Sequence, residues 1–414
     1  MTAFPAGLAF AQDPIDAAPA WRRLALALLA ATIGGVSLWS VVVVLPAAAV
    51  EFGATRGMAS LAYTCSMVFA ATGGVVFGRL SDRAGMRSPM LCAAALLGAG
   101  YAIAAMAPNI AVFILGHALL GAGGSVLFGP LIADTSRWFL RYRGIAVSLC
   151  ACGNYIAGAV WPPLIQYGAA THGWRAAYLV IALLTASSLV PMALVLASRP
   201  AQTGALPLPE RALLPIAVSP RALQILLAAA GLACCLAMAM PQVDIVAYCG
   251  DLGFGAAHGA AMLSLMLGLG VVSRIGSGFI ADRIGGLPTL LLGSALQGSA
   301  LLLYALSTSL ASLYIVSALF GLFQGGLVPS YAIVIREYFP QAQAGARVGL
   351  VLMMTLLGMA LGGFLSGVIF DLTHSYRLAF IHGAAWNIVN LIIVLFLFLR
   401  SARHRPALRG EAMT

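Results

Sequence analysis

The sequence predicts an all-α membrane protein of twelve transmembrane helices in two pseudo-symmetric six-helix bundles, both termini cytoplasmic, and three observations predict it. Of 414 residues, 62% are hydrophobic and 8% charged, with a mean hydropathy of +0.99, too little polar surface for a chain dissolved in water. Apolar runs recur from Leu24 to Leu399, each about 18 to 25 residues long and so able to cross a hydrocarbon core of about 30 Å. Lipid offers no partner to a backbone amide, so each run is read as a helix. The third observation is the placement of arginine. The net charge of +10 comes from 22 basic and 12 acidic residues, and no basic residue is a lysine. With the N-terminus inside, only Arg56, Arg175 and Arg377 fall outside and Arg274 falls within a helix, leaving 18 of the 22 on the cytoplasmic side. This alternation at helix ends argues against the basic face of a nucleic-acid binder.

Apolar runs between charged or Pro/Gly breaks place helices 1 to 6 near 24–50, 59–79, 89–107, 110–133, 144–169 and 175–197. Helices 7 to 12 follow near 222–249, 256–281, 287–306, 310–335, 345–370 and 376–399. Between the sets, Pro200, Pro207, Pro209, Pro215 and Pro220 lie among Arg199, Glu210, Arg211 and Arg221, the composition of a linker. The expected organisation is a cytoplasmic tail over 1–23, an N-terminal bundle over 24–197, a cytoplasmic linker over 198–221, a C-terminal bundle over 222–399 and a cytoplasmic tail over 400–414. The first twenty residues hold Asp13 and Asp16 but no basic region, unlike a cleaved signal.

The halves echo each other. Gly78-Arg79-Leu80-Ser81-Asp82-Arg83-Ala84-Gly85 returns 200 residues later as Gly278-Phe279-Ile280-Ala281-Asp282-Arg283-Ile284-Gly285, and Gly121 with Trp138-Phe139 returns as Gly321 with Tyr338-Phe339. Repeated halves with a solute site between them are an alternating-access architecture. The G-x-x-x-D-R-x-G element, present between helices 2 and 3 and again between 8 and 9, resembles the signature loop of the major facilitator superfamily. The resemblance implies a conformational role for Asp82, Arg83, Asp282 and Arg283, whose charges can meet neighbouring helix ends and lock a gate. Ordinary loop charges are the alternative, stronger for Asp282 than for Asp82.

At the junction of helices 4 and 5, Arg137-Trp138-Phe139-Leu140-Arg141-Tyr142-Arg143-Gly144-Ile145-Ala146 leads into Gly153-Asn154-Tyr155 and Trp161-Pro162-Pro163. This is similar to the run that opens helix 5 in the monocarboxylate and oxalate/formate-type anion transporters. Pro241-Gln242-Val243-Asp244, Asp251 and Gly253 around helix 7 and Arg274 on helix 8 extend the likeness. The chain departs from that branch in three places. The acid that precedes the helix 8 arginine by one turn in the animal proteins is Gly270 here, their helix 1 lysine has no counterpart, and 348–370 lacks the helix 11 lysine of the oxalate carriers.

Arg274 lies eight residues before Asp282, roughly 12 Å from the inner edge and near the middle of the core. A charge there costs at least about 2.5 kcal/mol unless it faces a watery cavity or a partner. Its planar fork matches a carboxylate bidentately, although a structural charge snorkelling to the cytoplasm is the alternative. Asp244, seven residues before Asp251, lies roughly 10 Å from the outer edge and reads either as a protonatable or gating group or as an acid bonded to nearby backbone. Asn154 offers an amide at mid-membrane, or packs helices. Gln324 and Tyr331, seven apart and hence on one face of helix 10, are expected to line the opposite wall with polar groups, Tyr331 being equally a candidate gate packer. Tyr63, Phe128 and Trp161, with Trp39, supply aromatic surface for the apolar part of a cargo, where plain packing is the commoner role. His117 and His382 are read as hydrogen-bonded residues without a role.

The seven cysteines show no paired C-x-x-C spacing and read as apolar packers. No nucleotide-cradling loop, H-E-x-x-H or nucleophile with base is present, so no enzyme activity, metal or cofactor is expected. The expected function is secondary transport of a small organic anion, a monocarboxylate, in symport with a proton or otherwise, by a monomer in the inner membrane, its partners being cargo and lipid. An exporter of an amphipathic or cationic compound reading its charge at Asp244, and a transporter-like sensor, are the rival classes.

Overall fold

The structure, a computed structural model, describes residues 15–197 and 214–402. Among them every regular element is helical, and twelve helices are long and apolar enough to cross a membrane. They are α1 (Ala18–Glu51), α2 (Arg56–Ala84), α3 (Arg87–Ala105), α4 (Ile110–Ser136), α5 (Arg143–His172) and α6 (Trp174–Val195), then α7 (Pro220–Asp251), α8 (Ala256–Ile284), α9 (Gly286–Leu306), α10 (Leu310–Tyr338), α11 (Gln341–Thr373) and α12 (Tyr376–Ala402). Three are interrupted: α1 at Gly35, α4 at Leu127–Phe128 and α10 at Gly325–Gly326. Most of the expected N-terminal tail, most of the linker and nearly all of the expected C-terminal tail lie outside the described residues.

Several helices run beyond the expected bounds, α2 to Ala84 rather than 79 and α11 from Gln341 rather than 345 among them, and two of the extensions share one reason. α1 begins at Ala18, with Pro19 in its first turn, rather than near 24, and α4 runs to Ser136 rather than 133. The extra turns bring Arg23 to Asp134, whose Oδ2 accepts from Nη2 at 2.8 Å and from Nε at 3.2 Å. Arg23 also donates to the Leu196 carbonyl and lies over the Trp138 ring. Two charged residues at the margins of apolar runs thus join the helices by pairing, and both are buried.

Each half follows one packing scheme. α2 and α3 pack on α4, α3 on α6 and α1 on α5; in the same way α8 and α9 pack on α10, α9 on α12 and α7 on α11. Gly121 sets the first α2–α4 contact, since a Cβ there would overlap the Ser66 carbonyl oxygen. Gly321 does the same against the Met266 carbonyl oxygen, 200 residues on for both partners. Between helices in lipid, where apolar surface alone gives no drive to associate, such close backbone approach supplies the packing. Gly85 and Gly285 end α2 and α8 with φ of 78° and 91°, a backbone setting that glycine reaches without a steric penalty.

The halves meet along α2 against α11, α5 against α8, and the second part of α1 against α7. We call the end with the α2–α3, α4–α5 and α8–α9 turns the arginine-rich end, and the opposite one the far end. Replacing Gly321 by leucine is expected to push α10 off α8 and to cost at least about 1–3 kcal/mol, read as a lower thermal unfolding midpoint of the purified protein; an unchanged midpoint would show that the contact does not set the packing.

Candidate functional site

Arg274 is buried, 8% exposed, where α8 faces α5 and the interruption in α10. Its Nη1 donates to the Ala151 carbonyl across the seam at 2.8 Å and its Nε to the Gly325 carbonyl at 3.4 Å. The guanidinium lies over the ring of Tyr155, 4.4 Å from the centroid. Pro329, four residues on, has no N–H to give the Gly325 carbonyl, which is thereby available to a side chain. Among the described residues Arg274 takes part in no ion pair.

Gly270 explains how this is possible. A Cβ at that position would overlap Cδ1 and Cε1 of Tyr155. The space that an acid would need is filled by the tyrosine ring, which supports the guanidinium through its π face rather than through a charge. The cation is therefore held in place and, among the described residues, has no acid in ion-pair contact.

The other expected residues separate into those near this centre and those turned away. Asn154 is one residue from Tyr155, and Trp39 Nε1 donates both to its Oδ1 at 3.2 Å and to its carbonyl at 3.0 Å, which fixes the amide and leaves its N–H groups for a ligand. Gln324, next to Gly325, accepts from Gln242 Nε2 at 2.8 Å. Trp161 is tied to α1 through the Thr32 carbonyl. Phe128 is half-buried at the α4 interruption. Tyr63 lies in the α2–α11 seam against Gly363, its hydroxyl buried without a protein partner. Tyr331 does not share a wall with Gln324: its hydroxyl donates to Asn390 Oδ1 on α12 at 2.8 Å. The Gly325–Gly326 interruption breaks the helical phase on which their seven-residue spacing depends.

Of the expected gating groups, Asp82 pairs with Arg137, which links α2 to the end of α4, while Arg83 lies beside it on the same exposed turn. The second half does not repeat the pair. Glu337 stands 200 residues after Arg137, and its carboxylate accepts from Gly286 N at 3.0 and 3.1 Å, capping α9. Asp282 and Arg283 line a cleft of about 430 Å³ with Gly285, Arg336 and Glu337. His117 is fully used, by Phe113 O and Tyr178.

The far end is sealed by residues that sequence reading did not single out as gating groups. Thr55 Oγ1 accepts from Met58 N, and Asp371, at the end of α11 in the other half, accepts from the two amides before it, Arg56 N at 2.8 Å and Gly57 N at 2.7 Å. All three leading amides of α2 are thereby satisfied, and the acid exchanges the unfavourable end of its own helix dipole for the favourable end of another. Arg56 reaches Asp251 on α7 at 3.0 Å. Deeper in the seam, Thr64 donates to the Ala360 carbonyl and Ser264 to Ala159. Asp244, 5% exposed, lies behind the seal with Oδ1 accepting from Ser366 and Oδ2 without a protein partner.

The sequence model described as Major Facilitator Superfamily matches residues 27–312 and 277–413. The chain belongs to the major facilitator superfamily. It is 28% identical over 364 residues to monocarboxylate transporter 13 of Bos taurus, covering 85% of this chain and 81% of that one. Against monocarboxylate transporter 13 of Rattus norvegicus it is 26% identical over 328 residues, 78% and 76% of the two chains. The crystal structure of the nucleoside transporter NupG superposes with a TM-score of 0.70 over 91% of this chain and 100% of that one at 14% identity, a likeness of fold. The protein is thus a multi-pass membrane transporter of this superfamily and not an enzyme.

Asp371→Asn is expected to weaken the far-end seal. In a background lacking the seven native cysteines, Ser60→Cys, buried in that seam, should react with a membrane-impermeant thiol reagent several-fold faster when position 371 is neutral. Equal rates would remove Asp371 from the seal.

Proposed function

We propose that this transporter carries a small organic anion, a monocarboxylate, by alternating access about a site centred on Arg274. The observation that carries the reading is a buried guanidinium between the halves, stacked on Tyr155, with no acid in ion-pair contact. A fixed cation in a low-dielectric setting is stabilised by a mobile anion, and the bidentate fork selects a planar carboxylate. Asn154 and Gln324 add amide groups, and Tyr63, Phe128 and Trp161 add aromatic surface for the rest of the cargo. The monocarboxylate transporters among its relatives support the class by name.

In this reading the arginine-rich end and both termini face the cytoplasm, the membrane is the inner one, and one chain suffices because it holds both halves of the path. Asp82 with Arg83, and Asp282 with Arg283, govern closure at the cytoplasmic end. Asp244 is the seat of a co-transported proton, interacting with Ser366, Arg56 and Tyr376, while Asp251 and Asp371 stand near the same Tyr376. The unpartnered Oδ2 of Asp244 also favours a second reading, an exporter in which this acid recognises a cationic compound.

The two readings part in one experiment, a thermal-shift titration of purified wild type and Arg274→Ala with small carboxylates at fixed ionic strength. A ligand of the native state raises the unfolding midpoint by mass action. The anion reading expects stabilisation by at least one carboxylate, weakened about 10- to 100-fold in the variant, with uptake lost although the protein still inserts. Stabilisation by cationic amphiphiles alone, abolished by Asp244→Asn, would replace it with the second.

A further inference from the structure

Beside the arginine, the seam contains a polar pair whose hydrogen-bonding capacity is half spent. Gln242 on α7 and Gln324 on α10 share one bond, Nε2 to Oε1 at 2.8 Å. They are 2% and 0% exposed. Gln242 Oε1 and Gln324 Nε2 are both buried without a protein partner. Turning both amides over exchanges the two roles and leaves the same remainder, one carbonyl oxygen and one NH₂ group. A packing pair has no use for such a remainder, because two amides can close on each other with two bonds or be replaced by apolar side chains at little cost.

Position says what the remainder faces. Gln324 precedes Gly325, whose carbonyl holds Arg274 Nε, so the cation and the amide pair lie on either side of the α10 interruption. Gln242 is carried by α7, the helix that packs on α1 across the halves, so a change in the contact between halves also moves the helix that holds one member of the pair. Trp39 and Trp161 do not compete for this remainder, since their indole N–H groups go to Asn154 and Thr32.

We infer that Gln242 and Gln324 form a second polar subsite that reads a group able both to donate and to accept, a hydroxyl or carboxamide, on the uncharged part of the cargo held at Arg274. The subsite rests on the anion reading and narrows it from any small carboxylate to a hydroxylated or amidated one. A donor–acceptor remainder fits such a group with two bonds. It rejects a purely apolar tail, which would leave both amide atoms buried and unpaired in the bound state.

The test uses butyrate and 2-, 3- and 4-hydroxybutyrate as probes, with apparent affinities from thermal-shift titrations of the full-length protein. Wild type is expected to bind at least one hydroxybutyrate about tenfold more tightly than butyrate. Gln242→Met with Gln324→Met keeps the side-chain length and removes both halves of the remainder together. It should bring that preference to about one, the readout being the ratio of hydroxybutyrate to butyrate affinity within each protein rather than the absolute affinity for butyrate. Gln324→Asn, which draws the amide back by one methylene, should reduce the preference in part and serves if the double variant fails to fold. Equal affinity of wild type for all four anions would overturn the inference, as would a preference that survives both variants; a pair that holds only water or packs helices gives one of these results. Arg274→Gln separates the two levels. If it leaves butyrate binding intact, the anion reading fails, while the hydroxyl preference still reports on the glutamines. Failure of wild type to bind any of the four overturns both.

Discussion

A guanidinium held inside the hydrocarbon layer without an acid beside it sets the terms for everything around it. Such a charge is tolerated only where carbonyls, a ring face and a path for a counter-ion converge. The fold provides these from three helices. α5 contributes the Ala151 carbonyl and the Tyr155 ring, the interrupted α10 contributes the Gly325 carbonyl, and α8 carries the arginine itself. Two of these helices belong to one half and one to the other, so the grip on the cation is also a grip between halves.

The same economy recurs at the far end, where the closing element is a carboxylate on a helix N-terminus rather than a row of salt bridges. Asp371 satisfies amides that α2 would otherwise leave open, and Arg56 reaches Asp251 beside it. Backbone amides are lost to neither state: when Asp371 leaves, water can take its place at an exposed helix end.

The number of helices was legible because each crossing needs a long apolar run, and the division into halves was legible in the repeated G-x-x-x-D-R-x-G element, whose final glycines, Gly85 and Gly285, take positive φ in the structure. Arg274 was visible as a charge inside an apolar run. What surrounds it was not. Tyr155 lies in plain view in the helix 5 run, yet its role depends on the missing side chain at Gly270, more than a hundred residues away in sequence. Asp371 reads as an ordinary acid at a helix end until α2, 315 residues away, is brought against it. Tyr331 bonds to Asn390 on α12, and the interruption of α10 removes the unbroken helix on which its expected pairing with Gln324 depends. Asp134 and Arg23 sit at the edges of their runs, where hydropathy cannot tell a loop charge from a buried pair.

Gly270 and Tyr155 also constrain how the sequence can change. A side chain at 270 cannot be admitted while the tyrosine ring is in place, and shrinking the ring first leaves Arg274 without its support. The two positions are thus not independent, and the effect of a substitution at one depends on the residue at the other. An ancestor or descendant carrying an acid one turn before the arginine is separated from this chain by at least two linked steps, with a compromised intermediate between them. Exchange of single residues between this protein and relatives of that kind would pass through the same valley, so the pair is inherited as one character.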